Sequence, residues 1–187
     1  MSKYLNNKRI SLVPFEEKYI TAEYKSWVND NEVTEHLMGG AYYYNEEELY
    51  AYYKKNLDSS DIFFAIIENE TQRYIGTARI YNINWINKTA VRGIMLGDKD
   101  VWGKGYGIEV INLISQYAFN TLNLNKLRSA TLVENIGIHK VNQKAGYQKE
   151  GEGREEFYRN GTYHNIYYWG LTRADYENNK KIDSNNK

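Results

Sequence analysis

Cysteine is absent from the 187 residues, which excludes disulfides, thiolate metal sites and cysteine nucleophiles. Histidine is scarce: His36, His139 and His164 stand far apart, at no spacing that suggests paired metal ligands. Proline occurs once, at Pro14. No apolar run approaches the ~20 residues that a membrane-spanning helix needs. The first nine residues are polar and lack the apolar segment of a secretory signal, so the expected location is the cytoplasm. An excess of one charge is missing too, with 24 lysines and arginines against 24 aspartates and glutamates. A net charge near zero supplies no long-range field toward nucleic acid or an anionic membrane, and no helix-turn-helix pattern is present. Neither is an expected partner.

What remains is an ordinary globular balance, 42% hydrophobic and 26% charged, enough for one packed domain. We divide the chain into a single domain over 1–174 and a polar, frayed tail over 175–187. Tyrosine is abundant, with 19 residues and clusters at 42–44, 50–53 and 167–168. A phenol offers an apolar face and one hydroxyl, which suits the wall of a pocket for a polar ligand. Biased composition gives the same count without any function.

The patterning predicts a strand over 9–13 and a helix over 18–29. A second helix is capped by Asn45 and runs to Leu57, with Glu46, Glu47 and Glu48 at its positive end. The unbroken apolar run 62–67 reads as a central strand, followed by strands at 74–84 and 89–96. Ile111, Ile114, Ala118 and Leu122 recur at steps of three and four, a helix over 108–122. Next come a strand over 126–133 and a helix over 137–145 stopped by Gly146. Strands at 148–158 and 163–172 are joined by Asn160-Gly161, a hairpin dipeptide. This order predicts a mixed α/β sheet with helices on both faces.

The most informative stretch is Trp102-Gly103-Lys104-Gly105-Tyr106-Gly107, between a strand and the long helix. Alternate glycines let the backbone turn tightly and gather its N–H groups at a helix start, where the dipole favours an anion. Lys104 adds a charge. The spacing fails the dinucleotide fingerprint, Gly-x-Gly-x-x-Gly. The Walker pattern also fails, because Gly105 stands where Ser or Thr is needed. The bland reading is a flexible turn.

Three segments in order carry a resemblance: 94–107 with its glycine loop, Asn135 with Lys144-Ala145-Gly146-Tyr147, and Glu150-Gly151-Glu152 with Arg159-Asn160-Gly161-Thr162-Tyr163. Together they resemble the GNAT superfamily of N-acetyltransferases, over roughly 9–172. The resemblance is to the branch of ribosomal-protein N-terminal, spermidine and amino-sugar acetyltransferases. It implies an α/β (α+β) fold with a mostly antiparallel central sheet, and acetyl-CoA as co-substrate. It implies that the backbone of Ile94, Met95 and Leu96 binds the pantetheine arm. The pyrophosphate would lie on the loop of Trp102, Gly103, Lys104, Gly105, Tyr106 and Gly107, with Asn135, Asn142 and Lys144 as further cofactor contacts. A monomer or homodimer is expected.

The family's catalytic positions are altered. Its usual acid, a tyrosine, corresponds to Asn142, which cannot act as an acid. An alternative serine corresponds to Ile138, and the usual glutamate base to Arg92, for which pairing with a surface acid is the simplest expectation. Catalysis then rests on positioning and oxyanion donors, or on substitutes such as Glu134, Tyr81, His36 or a clustered tyrosine. A third option is a non-catalytic acyl-CoA-binding module. Candidate acceptor contacts are Trp27, Asn29, His36, Tyr44 and Tyr81. Trp27-Val28-Asn29-Asp30 resembles a segment of relatives that acetylate amino sugars. A protein N-terminus or a polyamine are the other acceptors, the latter served by Glu32, Glu35 and Glu46 to Glu48.

Overall fold

The computed structural model describes residues 5–37 and 42–185. Eight strands form one sheet in the order β1-β2-β3-β4-β5-β6-β8-β7. They are β1 (Leu5–Asn6), β2 (Ile10–Pro14), β3 (Ile62–Glu68), β4 (Tyr74–Asn84), β5 (Thr89–Leu96), β6 (Lys126–Leu132), β7 (Gln148–Arg159) and β8 (Thr162–Thr172). The helices are α1 (Ala22–Asn29), α2 (Asn31–Thr34), α3 (Glu46–Leu57), α4 (Tyr106–Asn120), α5 (Ile136–Lys144) and α6 (Arg173–Asn185). Every strand pairing is antiparallel except β5 with β6.

The apolar run of β3 is explained by burial on both faces of the sheet. Phe64 and Ile66 join the core under α4, with Val110, Ile111, Ile114 and Ala118 of that helix fully buried. Phe63, Ala65 and Ile67 face the other way, toward Tyr24, Trp27 and Val28 of α1 and Leu49 and Tyr53 of α3. There Phe15 stacks on Phe63 at 4.2 Å, and such a ring pair adds about 1 kcal/mol beyond burial.

Helix boundaries follow their caps. Asn45 and Glu48 form a reciprocal capping box for α3, with N–H to oxygen distances of 2.9 and 2.8 Å. The helix expected over 18–29 is broken: a short 3₁₀ turn spans Glu17–Tyr19, and Thr21 then accepts from the Tyr24 N–H and starts α1. Asp30 ends α1 and caps α2.

Structure in the C-terminal segment corrects the expectation of a frayed tail. Thr172 donates its backbone N–H to Asp175 at 3.0 Å, and the Asp175 N–H returns to the Thr172 hydroxyl at 3.2 Å, opening α6. Arg173 donates to the carbonyls of Phe119 and Leu124, both at 2.8 Å. Tyr176 is buried and stacks on Phe119 at 4.9 Å. The Thr-x-x-Asp spacing was the available signal. No helix among the described residues is long and apolar enough to cross a membrane.

Two outcomes follow from this packing. Tyr176→Ala should cost about 3 kcal/mol in urea unfolding; a loss below about 0.5 kcal/mol, the range of neutral surface changes, would contradict docking of α6. His139 of α5 is buried, with Nε2 3.0 Å from the Leu132 carbonyl, and burial pushes its pKa below the ordinary value. The unfolded chain therefore binds more protons from pH ~6.5 down to the folded pKa, and stability falls as pH drops through that window. His139→Gln should flatten this part of a thermal-unfolding profile against pH.

Candidate active site

The sheet is continuous at its two ends and divided in the middle. β4 and β5 stay paired from Gly76–Leu96 to Asn84–Thr89, and β6 pairs with β8 along its whole length. β5 and β6 are paired only at Thr89–Lys126, Ala90–Leu127 and Val91–Arg128. Beyond Val91 the two strands diverge, so each leaves a backbone edge without a strand partner inside the sheet.

A cavity of about 460 Å³ occupies this gap and continues to the face of α1 and α3. Gly93, Ile94 and Met95 line it from β5, and Ser129, Ala130 and Thr131 from β6. Asn135 and Ile138 close it on the α5 side. Asn135 also caps α5, its Oδ1 accepting from the Ile138 N–H at 3.1 Å. On the far side stand Tyr24, Tyr44, Tyr52, Phe63 and Tyr81, with His36 and Arg79.

The glycine loop follows the C-terminal, unpaired end of β5, beyond Leu96. Gly103 and Gly105 adopt φ of 72° and 84°, a region open to glycine at little cost. Gly105 precedes α4 and no side chain caps that helix, so its first N–H groups stay free of intrahelical partners. A Cβ on Gly103 or Gly107 would meet nothing within 4 Å, so the loop is open outward. Trp102 ties it to the strand, its Nε1 donating to the Leu96 carbonyl at 2.9 Å. Tyr106 points inward instead: it is buried and its hydroxyl donates to Glu68, which leaves its backbone N–H as its contribution to the loop.

Arg9 is a loop residue that sequence reasoning missed. Its Nη2 donates to the Lys104 carbonyl at 2.9 Å, its Nε pairs with Glu109 at 2.8 Å, and it lies 4.1 Å over the Tyr106 ring. No local pattern announces a contact across 95 residues.

The other expected site residues divide. His36, Tyr44 and Tyr81 line the cavity. Trp27 and Asn29 do not. Trp27 packs on Tyr74 at 5.0 Å and closes on Gly97, where any Cβ would collide with its ring. Asn29 spends its amide on the backbone of Tyr44, donating at 2.9 Å and accepting at 2.8 Å, so it braces the wall. Glu134 lies off the lining and pairs with His164 at 3.0 Å, which holds its carboxyl below the usual range. Lys144 is exposed in the last turn of α5, where it suits the negative helix end.

Arg92 overturns the expectation of a surface ion pair. It is 3% exposed and makes no ion pair among the described residues. Its Nη2 donates to Oδ1 of the fully buried Asn142. Sequence comparison placed these residues at two separate altered positions; the fold joins them.

Known proteins agree with this geometry. The acetyltransferase (GNAT) domain family matches residues 9–148. An uncharacterized N-acetyltransferase, p20 of Bacillus licheniformis, is 33% identical over 60% of this chain and 63% of its own length. The spermidine N(1)-acetyltransferase of Vibrio cholerae is 28% identical over 73% of this chain and 78% of its own. A crystal structure of spermidine N-acetyltransferase from that organism, with CoA and spermine, superposes with a TM-score of 0.84. It shares 24% identity and covers 91% of this chain and 99% of its own. The chain therefore belongs to the acetyltransferase (GNAT) family, and its reaction is the acetyl-CoA-dependent N-acetylation of an amine.

Proposed function

We propose that acetyl-CoA occupies the gap from the glycine-loop end and that the acceptor, a weakly basic amine of the amino-sugar kind, enters from the tyrosine-lined side. The loop and the strand fit the donor. The backbone edge of Ile94, Met95 and Leu96 can take the amides of a pantetheine arm, as a neighbouring strand would. The N–H groups around Gly103, Gly105 and Gly107 can take the pyrophosphate at the start of α4, with Lys104 beside them and Asn135 on the opposite wall.

One observation carries the acceptor reading: the cavity lining holds two arginines, Arg79 and Arg92, and no carboxylate among the described residues. Arg79 is itself answered by Asp61 at 3.2 Å. A polyamine brings several positive charges and would need acids to meet them. The candidate acids lie elsewhere. Glu32 pairs with Lys99 at 2.5 Å, Glu48 serves the α3 capping box, and Glu35, Glu46 and Glu47 are exposed outside the lining.

Proton bookkeeping supports the same choice. The amine must be neutral to attack a thioester. Burial raises the pKa of Tyr24, Tyr52 and Tyr81, so these phenols are poor bases. Among the described residues His36 is the one imidazole on the lining. An α-amine of pKa ~8 is partly neutral near pH 7.5, whereas a lysine-like amine of pKa ~10 is not. A sugar amine beside electron-withdrawing hydroxyls belongs with the former, and its ring faces suit tyrosine walls. Dependence on acetyl-CoA supports a cytoplasmic setting.

Two measurements test this reading. In calorimetry the wild type should bind acetyl-CoA, and Gly105→Glu should bind it at least about tenfold more weakly, because an acid at that φ meets the pyrophosphate. Equal binding would remove the loop from the site. At pH 7.5, kcat/KM for an amino sugar should exceed that for spermidine by about tenfold or more, a difference of ~1.4 kcal/mol in transition-state binding. The reverse order would show that the polyamine named for the Vibrio relative is the better acceptor here too.

A further inference from the structure

The cluster around Arg92 is costly as it stands. A guanidinium is always charged, and a buried cation without a counter-ion is among the least favourable arrangements in a protein. Arg92 is 3% exposed and has no carboxylate within 4 Å among the described residues. One of its nitrogens is satisfied by Asn142 Oδ1. Its Nε is buried without a hydrogen-bond partner, and so are Asn142 Nδ2 and the Tyr147 hydroxyl. The guanidinium lies 4.7 Å over the Tyr147 ring, which eases the charge but does not neutralise it.

Its position narrows what could complete it. Val91 is the last β5 residue paired with β6, and Arg92 follows it as the first residue facing the gap. Arg92 lines the cavity next to Gly93, Ile94 and Met95. A donor laid along that edge would bring its reacting end to this arginine. Negative charge is made at that end and nowhere else in the reaction.

We infer that Arg92, oriented by Asn142, is a catalytic residue that stabilises the thiolate leaving from acetyl-CoA, by charge instead of by proton donation. This rests on the reading that acetyl-CoA occupies the gap. The acceptor nitrogen forms a bond to the acetyl carbon, the carbon–sulfur bond breaks, and its electron pair stays on sulfur as a thiolate facing Arg92. The proton released by the nitrogen goes to water or to His36, and the thiolate takes a proton from solvent on leaving. No other reactant is needed. Asn142 cannot give a proton, so its part is to hold the guanidinium through Oδ1 and to offer Nδ2 as a donor. Cations beside a thiol favour its ionised form in the same way.

The test is the ionisation of bound CoA, followed by its ultraviolet thiolate absorbance across pH. The titratable groups facing Arg92 are Tyr147, after α5, and Tyr81 on β4. With wild type, the bound thiol should titrate at least about one unit below the usual thiol value of ~8.5. Arg92→Gln should return it to the free value, Arg92→Lys should keep part of the shift, and Tyr147→Phe should keep it nearly whole. A wild-type thiol that titrates like free CoA overturns the assignment, and that measurement needs no variant to fold. A shift that survives in Arg92→Gln or vanishes in Tyr147→Phe also overturns it. Failure of the wild type to bind CoA at all would sink both this inference and the placement of acetyl-CoA in the gap. Bound CoA with an unshifted thiol would sink this inference alone.

Discussion

The parting of β5 from β6 after three paired residues is the constraint on which the rest of the molecule depends. Parallel neighbours cannot be joined by a hairpin, so the chain must cross over, and here it crosses through α4. That crossover sets the N-terminus of α4 and the free edge of β5 at the same end of the gap. One site thereby gains two sets of unspent backbone donors, from a strand edge and from a helix start. Each would be a liability elsewhere. The sheet tolerates the break because the flanking pairings are long and the apolar faces of β3, β4 and α4 close the core beneath it.

The tyrosine-lined side of the cavity is held by long-range polar contacts more than by local structure. Asn29 of α1 fastens the backbone of Tyr44. Arg159, at the end of β7, is buried and donates to the carbonyls of Thr34 and Glu35, so the closing hairpin pins the wall beside His36. Arg79 gathers Tyr52, Asn56 and Asp61 below the tyrosine face. These contacts fix a polar, aromatic cavity whose lining carries Arg79, paired with Asp61, and Arg92.

Much of the fold was legible in the residues. The spans 74–84 and 89–96 are observed as expected, and so are the Asn45 cap and the turn at Asn160-Gly161, where both residues take positive φ. These features are local: periodicity, caps and turn chemistry act within a few residues. The glycine loop was legible for the same reason. What escaped depends on partners far along the chain. Arg9 reaches Lys104, Arg92 reaches Asn142, and Tyr176 finds Phe119, and no window of the sequence contains both members of any of these pairs. Trp27 and Asn29 were expected to face the acceptor because the segment 27–30 resembles one in related acetyltransferases, but packing on Gly97 and Tyr74 and bracing of Tyr44 use them instead.

Amide hydrogen exchange with and without acetyl-CoA addresses the divided sheet most directly. Protection should rise over 93–96 on β5 and over 103–109 at the start of α4, while the turn at Asn160-Gly161, on the far hairpin, stays unchanged. If exchange at those two segments is untouched while the ligand is bound, the gap between β5 and β6 is not where acetyl-CoA lies.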